Sequence, residues 1–536
     1  MGVFEIANTS IGWHLASGDW ILSNHSFLRT DPFSFTSGSA PWIDHEWLFQ
    51  IGASIAHSLA GPTALVALRT LTVAVLGVFL LVVAVRSGLS PAAALVLSLF
   101  CVAGARWRFF VRPELVTLLV VPMVVWLFLR REKYRSPIWL AALAVLIVVG
   151  ANAHGGALVV PILLAGIMTA EMVQMAHSRS WRRRTIVSGI AGLGTSIAAL
   201  LVNPYGWHLF AVPFRLARLV DQDHIPNPEW VSPSPAQAPV LYAAITAAVI
   251  VLALRERRLA YWALGLMAAA LALRHIRNLG LFFTLLPLIG APALASWNSL
   301  AHTGVGQQNH RRRTNVLAVA AVSILAFSLA ISPWPPFGIG FADDYYPESA
   351  CDFLDTENLP KSQLYNDVRF GGYLIHRYGP SRGVFQDDRN EIHDHLLRRI
   401  WEIFQSSDVA AWSDLLAEFS TDTALVRYHP PIRVTDPGGN DLGFRGFSTL
   451  WFPAAQWALV YWDDVAMVFV HRDPAVAGLL EQHEYKILRP DDLAHFEKSL
   501  AGDPALRREA AHELARAISG NPTSFRAGEI AEIIRR

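Results

Sequence analysis

Between residues 62 and 333 the chain alternates long apolar stretches with short basic clusters. Runs of roughly 16–25 residues are long enough, as helices, to cross a hydrocarbon core of about 30 Å. They fall at 62–86, 89–104, 113–130, 137–152, 156–176, 184–203, 238–254, 259–274, 278–297 and 314–333. The break at 152–156 rests on Asn152, His154 and a Gly pair that split one long apolar tract. From residue 340 the pattern becomes that of an ordinary soluble chain. It predicts a strand at 363–367, a helix through 370–378, a strand at 383–387, helices near 393–405 and 408–419, and a hairpin at 457–471 with Asp463-Asp464 at its turn. The tail from 491 reads as helical and amphipathic, rich in Ala, Arg and Glu.

Composition agrees with a membrane protein. With 536 residues, 53% of them hydrophobic, and 18 Trp, the chain is too apolar for a soluble protein of its size. Its formal charge of +1, with the basic residues gathered between apolar runs, gives no reason to invoke nucleic acid. Cys101 and Cys351 make no metal-type spacing and no disulfide framework.

The basic clusters set an orientation, because cytoplasmic loops carry the excess of Lys and Arg. The loops 130–135, 179–184, 255–258 and 311–313 fall on one side of the alternation. Residues 1–61, the segment 204–237 and everything after 334 fall on the other, extracytoplasmic side. The expected fold class is an α-helical polytopic membrane protein of about ten spans, with a C-terminal α/β extracytoplasmic domain. Its regions are an extracytoplasmic loop with interfacial helices (1–61), a transmembrane domain (62–333) and a soluble α/β domain with a helical tail (340–536). Met1 stands almost directly before extramembrane sequence, with neither a signal peptide nor a first span ahead of it.

Two outer turns then carry cations where few are expected: Arg106, Arg108 and Arg112 in one, Arg274, His275 and Arg277 in the other. Arg69 lies about seven residues into the first span, roughly 10 Å deep at about 1.5 Å per residue. Such arginines either snorkel to headgroups and pair with local acids such as Glu114, or share an anionic ligand. A lipid-linked phosphate is the candidate, since planar guanidinium groups bind phosphate bidentately. On the same side, APWIDHEWLFQ at 40–50 sets Asp44 and Glu46 just ahead of the first span. Carboxylates there either sit in a wet loop or act on something.

The stretches IGWHLASGDWIL (11–22), TDPFSFTSGSAPWIDHEWL (30–48), RPELVT (112–117), NAHGG (152–156), NPYGW (203–207), YNDVRFGGYLIHRYG (365–379) and VFQDDR (384–389) resemble the bacterial branch of the GT-C membrane glycosyltransferase superfamily. That branch is related to the dolichyl-phosphate-mannose protein mannosyltransferases and the aminoarabinose lipid A transferases. The resemblance implies an enzyme of the bacterial inner membrane that moves a sugar from a polyprenyl-phosphate donor to an extracytoplasmic lipid, glycan or protein acceptor. It assigns the carboxylate of the first outer loop the acceptor's proton, a role that falls to Asp44 and Glu46. Arg69, Arg106, Arg108, Arg112, His154, Arg274 and Arg277 are left to bind substrate and hold the leaving phosphate. Two departures stand against it. Relatives begin with a membrane span that is not found ahead of residue 10 here, and they carry an acid just ahead of the WH dipeptide, where this chain has Ser10 and Gly12 before Trp13-His14, so that either the start is truncated or misassigned or this member is degenerate.

Some GT-C enzymes use Mg or Mn. His14, His25, His45 and His154, with Asp44 or Glu46, are the residues that could hold such a cation, although their spacing matches no metal motif. D-x-D-H at 221–224 and Glu229-Trp230 lie in the longest outer loop, which either covers the acceptor or anchors at the interface. Asp387, Asp388 and Arg389 follow an expected strand end and read either as a ligand site or as a capped turn. A non-catalytic scaffold that binds a lipid-linked glycan or a protein partner is the alternative to an enzyme. A transporter would need acids inside the spans, and almost none lie there beyond Glu171 at an inner end.

Overall fold

The computed structural model describes residues 2–134, 136–221, 227–299, 337–360, 362–435 and 441–536. The chain is mostly helical and falls into two compact units. The first holds Met1–Asn8, Ser17–Arg29 and Ile43–Gly340; the second holds Thr9–Ala16, Thr30–Trp42 and Phe341–Arg536. Residues 1–61 are thus divided between the two.

In the first unit the apolar runs form helices α2 (Trp47–Arg86), α3 (Pro91–Ala105), α4 (Glu114–Leu129), α5 (Ile138–Ala153), α6 (Val160–His177), α7 (Arg183–Leu200), α8 (Val212–Asp221), α9 (Pro239–Arg255), α10 (Leu259–Arg274) and α11 (Leu279–Ser299), after α1 (Ile11–Asn24), which begins in the second unit. Helix α2 is broken at Ala60 and Gly61, where Gly61 takes φ +60° ahead of Pro62. Only glycine adopts that backbone readily, and Pro62 has no N–H to continue the ladder. The expected span at 62–86 starts at this break. Ser90 caps α3 by accepting from Ala93 N, with Pro91 at the first helical position.

Helix pairs α3–α11, α6–α10, α5–α7, α4–α5 and α10–α11 make the main packing. Gly104 lets α3 approach α11 closely, since a Cβ there would lie 2.4 Å from the Phe283 ring. Leu71, Val78, Val145, Ile162, Leu254 and Leu266 are more than half exposed, while Val121, Val125, Leu143 and Ile147 are buried. Helices apolar on both faces suit a lipid surround.

Among the described residues, Trp47–Arg86, Gly155–His177 and Ile276–Ser296 are long and apolar enough to cross a membrane. Length and composition therefore single out three spans, where the apolar runs alone suggested about ten. The other described runs do form helices, but several are short. Helix α3 has 15 residues, about 22 Å at about 1.5 Å per residue. The expected span at 314–333 and the basic cluster at 311–313 lie outside the described residues.

The second unit is built on a four-stranded sheet of order β1-β2-β6-β5, from β1 (Gln363–Asn366), β2 (Thr421–Arg427), β5 (Trp457–Trp462) and β6 (Ala466–His471). Strands β1 and β2 are parallel; the other neighbours are antiparallel. A separate hairpin pairs β3 (Ile432–Thr435) with β4 (Asp441–Arg445). The β5–β6 turn is where the sequence put it: Asp463 accepts from Val465 N and Ala466 N, both at 2.7 Å. The expected strand at 383–387 does not form. The segment makes only an isolated parallel bridge, in which Val384 N donates to Phe33 O at 2.9 Å and Phe35 N donates to Val384 O at 3.2 Å, while the Asn366 side chain accepts from Phe385 N at 2.9 Å and donates to Gln386 O at 2.7 Å. Helices Val368–Tyr378, Asp394–Ser406 and Val409–Glu418 match expectation, as do the three that close the tail, Leu493–Leu500, Pro504–Gly520 and Phe525–Arg535.

Candidate functional site

In the first unit a cavity of about 310 Å³ is lined by His45, Arg108, Glu114, Thr117, His154 and Arg277, with Trp230, His275, Leu271 and Leu281 among its other walls. Three expected site residues, Arg108, His154 and Arg277, thus meet on one cavity.

The geometry of His154 follows from local sequence. It ends α5 in extended backbone and accepts from Gly156 N at 3.2 Å through Nδ1, with Thr117 Oγ1 at 2.8 Å from the same atom. Because a backbone N–H can only donate, Nδ1 is the acceptor and the neutral ring carries its proton on Nε2. Burial, followed by the charges of Arg277, His45 and Arg108, pushes the His154 pKa well below its ordinary value. The glycine pair makes room: a Cβ on Gly156 would lie 2.6 Å from Thr117 Oγ1, and one on Gly155 would lie 3.2 Å from the His45 ring. Glu114 and Thr117 stand three residues apart on α4 and so share a face. That polar pair in an otherwise apolar helix was the sequence signal for Thr117, which the sequence reading passed over.

Neither loop carboxylate is among the residues that line the cavity, but Glu46 approaches two that are. Its Oε1 lies 3.6 Å from His45 Nε2 and 3.9 Å from His154 Nε2. Asp44 is buried and does not line the cavity. Its Oδ1 accepts from Gln50 Nε2 at 2.6 Å, and its Oδ2 is buried without a hydrogen-bond partner among the described residues. Burial, reinforced by the nearby Glu46 charge, raises the Asp44 pKa to about 7 despite the Gln50 hydrogen bond.

The arginines divide. Arg108 donates to Glu114 and to both oxygens of Glu229, at 3.1 and 3.2 Å; Arg112 donates to Glu229 at 2.7 Å and to Asn8 at 2.9 Å. Burial opposes the Arg108 charge, but the two carboxylates outweigh it and hold the proton more firmly than usual. Burial likewise opposes the Glu229 charge, yet Arg108 and Arg112 bring its pKa down to about 2. Glu229, which the sequence placed only in an outer loop, is therefore the hub of the cluster. Arg277 lies 5.1 Å from the Trp230 ring centroid and has no salt-bridge partner among the described residues.

Three expected residues lie elsewhere. Arg69 is buried, but its donors are used on the backbone: Nε donates to Gly2 O at 2.8 Å, Nη2 donates to Phe4 O, and the guanidinium covers the Phe4 ring. Arg106 turns back to Ala103 O at 3.1 Å, and Arg274 is exposed. Neither lines the cavity.

The donor set for a metal is thin. His45 Nδ1 donates to Ile43 O at 3.2 Å, which leaves Nε2 as a lone pair facing Glu46. His154 Nε2 carries a proton, so two protein donors remain there, fewer than the three of a catalytic zinc site. Among the described residues no group of three or more His, Cys, Asp or Glu is arranged to hold a metal.

In the second unit Asp387, Arg389 and His393 form a buried network with Asp31 and Ser34. Arg389 donates to Asp31 at 2.9 Å and to Asp387 at 2.6 Å, and His393 Nε2 lies 3.1 Å from Asp387. Trp13 donates to Asp388 at 2.7 Å and Thr9 does so at 2.5 Å. These acids are occupied in holding the chain together. The 222–224 portion of D-x-D-H lies outside the described residues.

No family model matches the chain, and no curated protein matches it by sequence. Solved structures do. The archaeal oligosaccharyltransferase AglB from Archaeoglobus fulgidus, in complex with an inhibitory peptide and a dolichol-phosphate, superposes with a TM-score of 0.56 at 10% identity over 96% of this chain and 82% of that one. The apo form of the Archaeoglobus fulgidus oligosaccharyltransferase gives 0.54 at 10% identity over 97% and 83%, and its complex with Zn and sulfate gives 0.54 at 10% identity over 97% and 82%. At this identity the likeness is one of fold alone: the chain shares the fold of the archaeal oligosaccharyltransferase.

Proposed function

We propose that this chain, built on the GT-C fold, is a membrane glycosyltransferase that moves a sugar from a polyprenyl-phosphate donor to an extracytoplasmic acceptor. The observation that carries this is the cavity itself, where Arg108, His154 and Arg277 converge beside Glu46. Glu46 is the general base. It takes the proton of the acceptor group, whose freed electron pair attacks the anomeric carbon; the bond from that carbon to the phosphate oxygen breaks, and the phosphate leaves with the pair. Arg277 and Arg108 hold the charge that gathers on the phosphate. His154, neutral and with its proton on Nε2, donates to Glu46 or to the departing oxygen. Asp44 supports the loop through Gln50 rather than meeting substrate. The charge alternation supports an extracytoplasmic position, at a bacterial inner membrane, for this cavity and for the C-terminal unit.

A scaffold that binds the lipid-linked glycan without transferring it is favoured by one observation, the prior pairing of Arg108 and Arg112 with Glu229. Release of polyprenyl phosphate from a labelled donor in membranes separates the readings. The enzyme discharges donor, slowly to water and faster to acceptor, and Glu46→Gln lowers the rate by about 10²-fold or more with donor still bound. Binding without discharge by the native chain would leave the scaffold reading in its place.

A further inference from the structure

Arg108 is the cation best placed to meet an anion in the cavity, yet both of its terminal nitrogens are taken. Nη1 and Nη2 reach the two oxygens of Glu229, and Nη2 also reaches Glu114. A phosphate approaching Arg108 finds a carboxylate already in the bidentate position an oxyanion would need. The two acids differ in freedom. The Glu114 side chain is 12% exposed, whereas that of Glu229 is 33% exposed.

The main chain under Glu229 is pinned. Arg277 N donates to Glu229 O at 3.2 Å, Ile276 N to Val231 O at 2.9 Å, and His275 Nδ1 to Trp230 O at 2.7 Å. The carboxylate can therefore swing on its side chain while the backbone keeps Arg277 and Trp230 in the cavity wall.

We propose that Glu229 is an internal competitor of the donor's phosphate: it neutralises Arg108 and Arg112 while the donor is absent, and the phosphate displaces it. Arg277, without a salt-bridge partner among the described residues, makes the first contact. Exchanging one carboxylate for one phosphodiester keeps the local charge constant, so neither the buried Arg108 nor the partly buried Arg112 loses this carboxylate without gaining an anion. Neutral glycans cannot drive the exchange, and this makes Glu229 a specificity-determining residue for anionic donors. The inference rests on the donor reading above.

The test measures binding of a short-chain polyprenyl phosphodiester bearing a hexose to the detergent-solubilised full-length chain, across a range of salt, with thermal melting to monitor folding. Glu229→Gln is expected to bind about tenfold more tightly, having lost the competing charge, and Glu229→Asp is expected to stay near the native value. If Glu229→Gln melts early, the same comparison is made between Arg112→Gln and the Arg112→Gln, Glu229→Gln pair, and the pair should bind the more tightly. Equal or weaker binding by a Glu229→Gln chain that still melts normally would make Glu229 a support for Arg108; the inference then falls and the donor reading stands. If neither the native chain nor Glu229→Gln retains the lipid, the donor reading falls and takes the inference with it.

Discussion

Arg389 donates to Asp31 at 2.9 Å, and neither side chain has any exposed surface. The pair ties the loop 30–42 to the C-terminal part of the second unit, and the Trp13 and Trp42 rings lie 5.8 and 4.8 Å from the same guanidinium. Removing one member of a buried pair leaves the other charge without compensation, at about 3–5 kcal/mol. Arg389→Met should therefore unfold the second unit at markedly lower temperature, with a red shift of tryptophan emission as Trp13 and Trp42 meet water. Asp31→Asn should cost less, because Asp387 still holds Arg389. Equal melting of Arg389→Met and the native chain would mean the network contributes nothing net.

Asp44 gives a prediction in pH. Its folded pKa of about 7 lies above the ordinary carboxyl value of 3.8, so between these values the folded state binds more protons than the unfolded one. The contribution to stability is full below about pH 4 and is lost as pH rises to about 7, at about 1.4 kcal/mol per unit. An asparagine in its place cannot titrate. Asp44→Asn should flatten the fall in melting temperature between pH 5 and pH 8 and be the more stable form at pH 8, while donor discharge persists. A variant with the native pH slope would show that Asp44 ionises normally.

Gly156→Ala tests the seat of His154. The added methyl would lie 2.6 Å from Thr117 Oγ1 and 2.8 Å from His154 Nδ1, so the imidazole must leave the position that aims Nε2 at Glu46. Donor discharge should fall by about tenfold or more, since small displacements in a reacting site are amplified in rate. Melting should fall somewhat as well, because the same methyl meets the buried Thr117, so discharge is compared well below the transition of both chains. An unaltered rate would remove His154 from the proposed chemistry.

The helices of the first unit were legible because lipid exposure makes whole runs apolar, and such runs need no partner to be recognised. Turn chemistry likewise announced the β5–β6 hairpin through Asp463. What escaped were relations between distant side chains. Nothing local to Glu229 says that it joins Arg108 and Arg112, and nothing in Arg69 says that its partners are the carbonyls of Gly2 and Phe4. The expected strand at 383–387 has strand-like residues, but its backbone is shared between a single bridge to residues 33–35, the Thr36 hydroxyl and the Asn366 amide, all distant in sequence. Of the candidates named from sequence, Arg108, His154 and Arg277 line the cavity together with Thr117, which the pattern did not single out, and the burial of Asp44 against Gln50 is not a local property of the loop.

The division of the second unit between both ends of the chain also sets an order in time. Asp31 leaves the ribosome 358 residues before Arg389, a delay of roughly 20–70 s at about 5–20 residues per second. Throughout that interval its carboxylate has no counter-ion and must stay hydrated, and the indoles of Trp13 and Trp42 have no guanidinium to cover. The first-made segment is thus the last to find its place, and a nascent chain stalled before residue 389 would present it in a form open to proteases and chaperones.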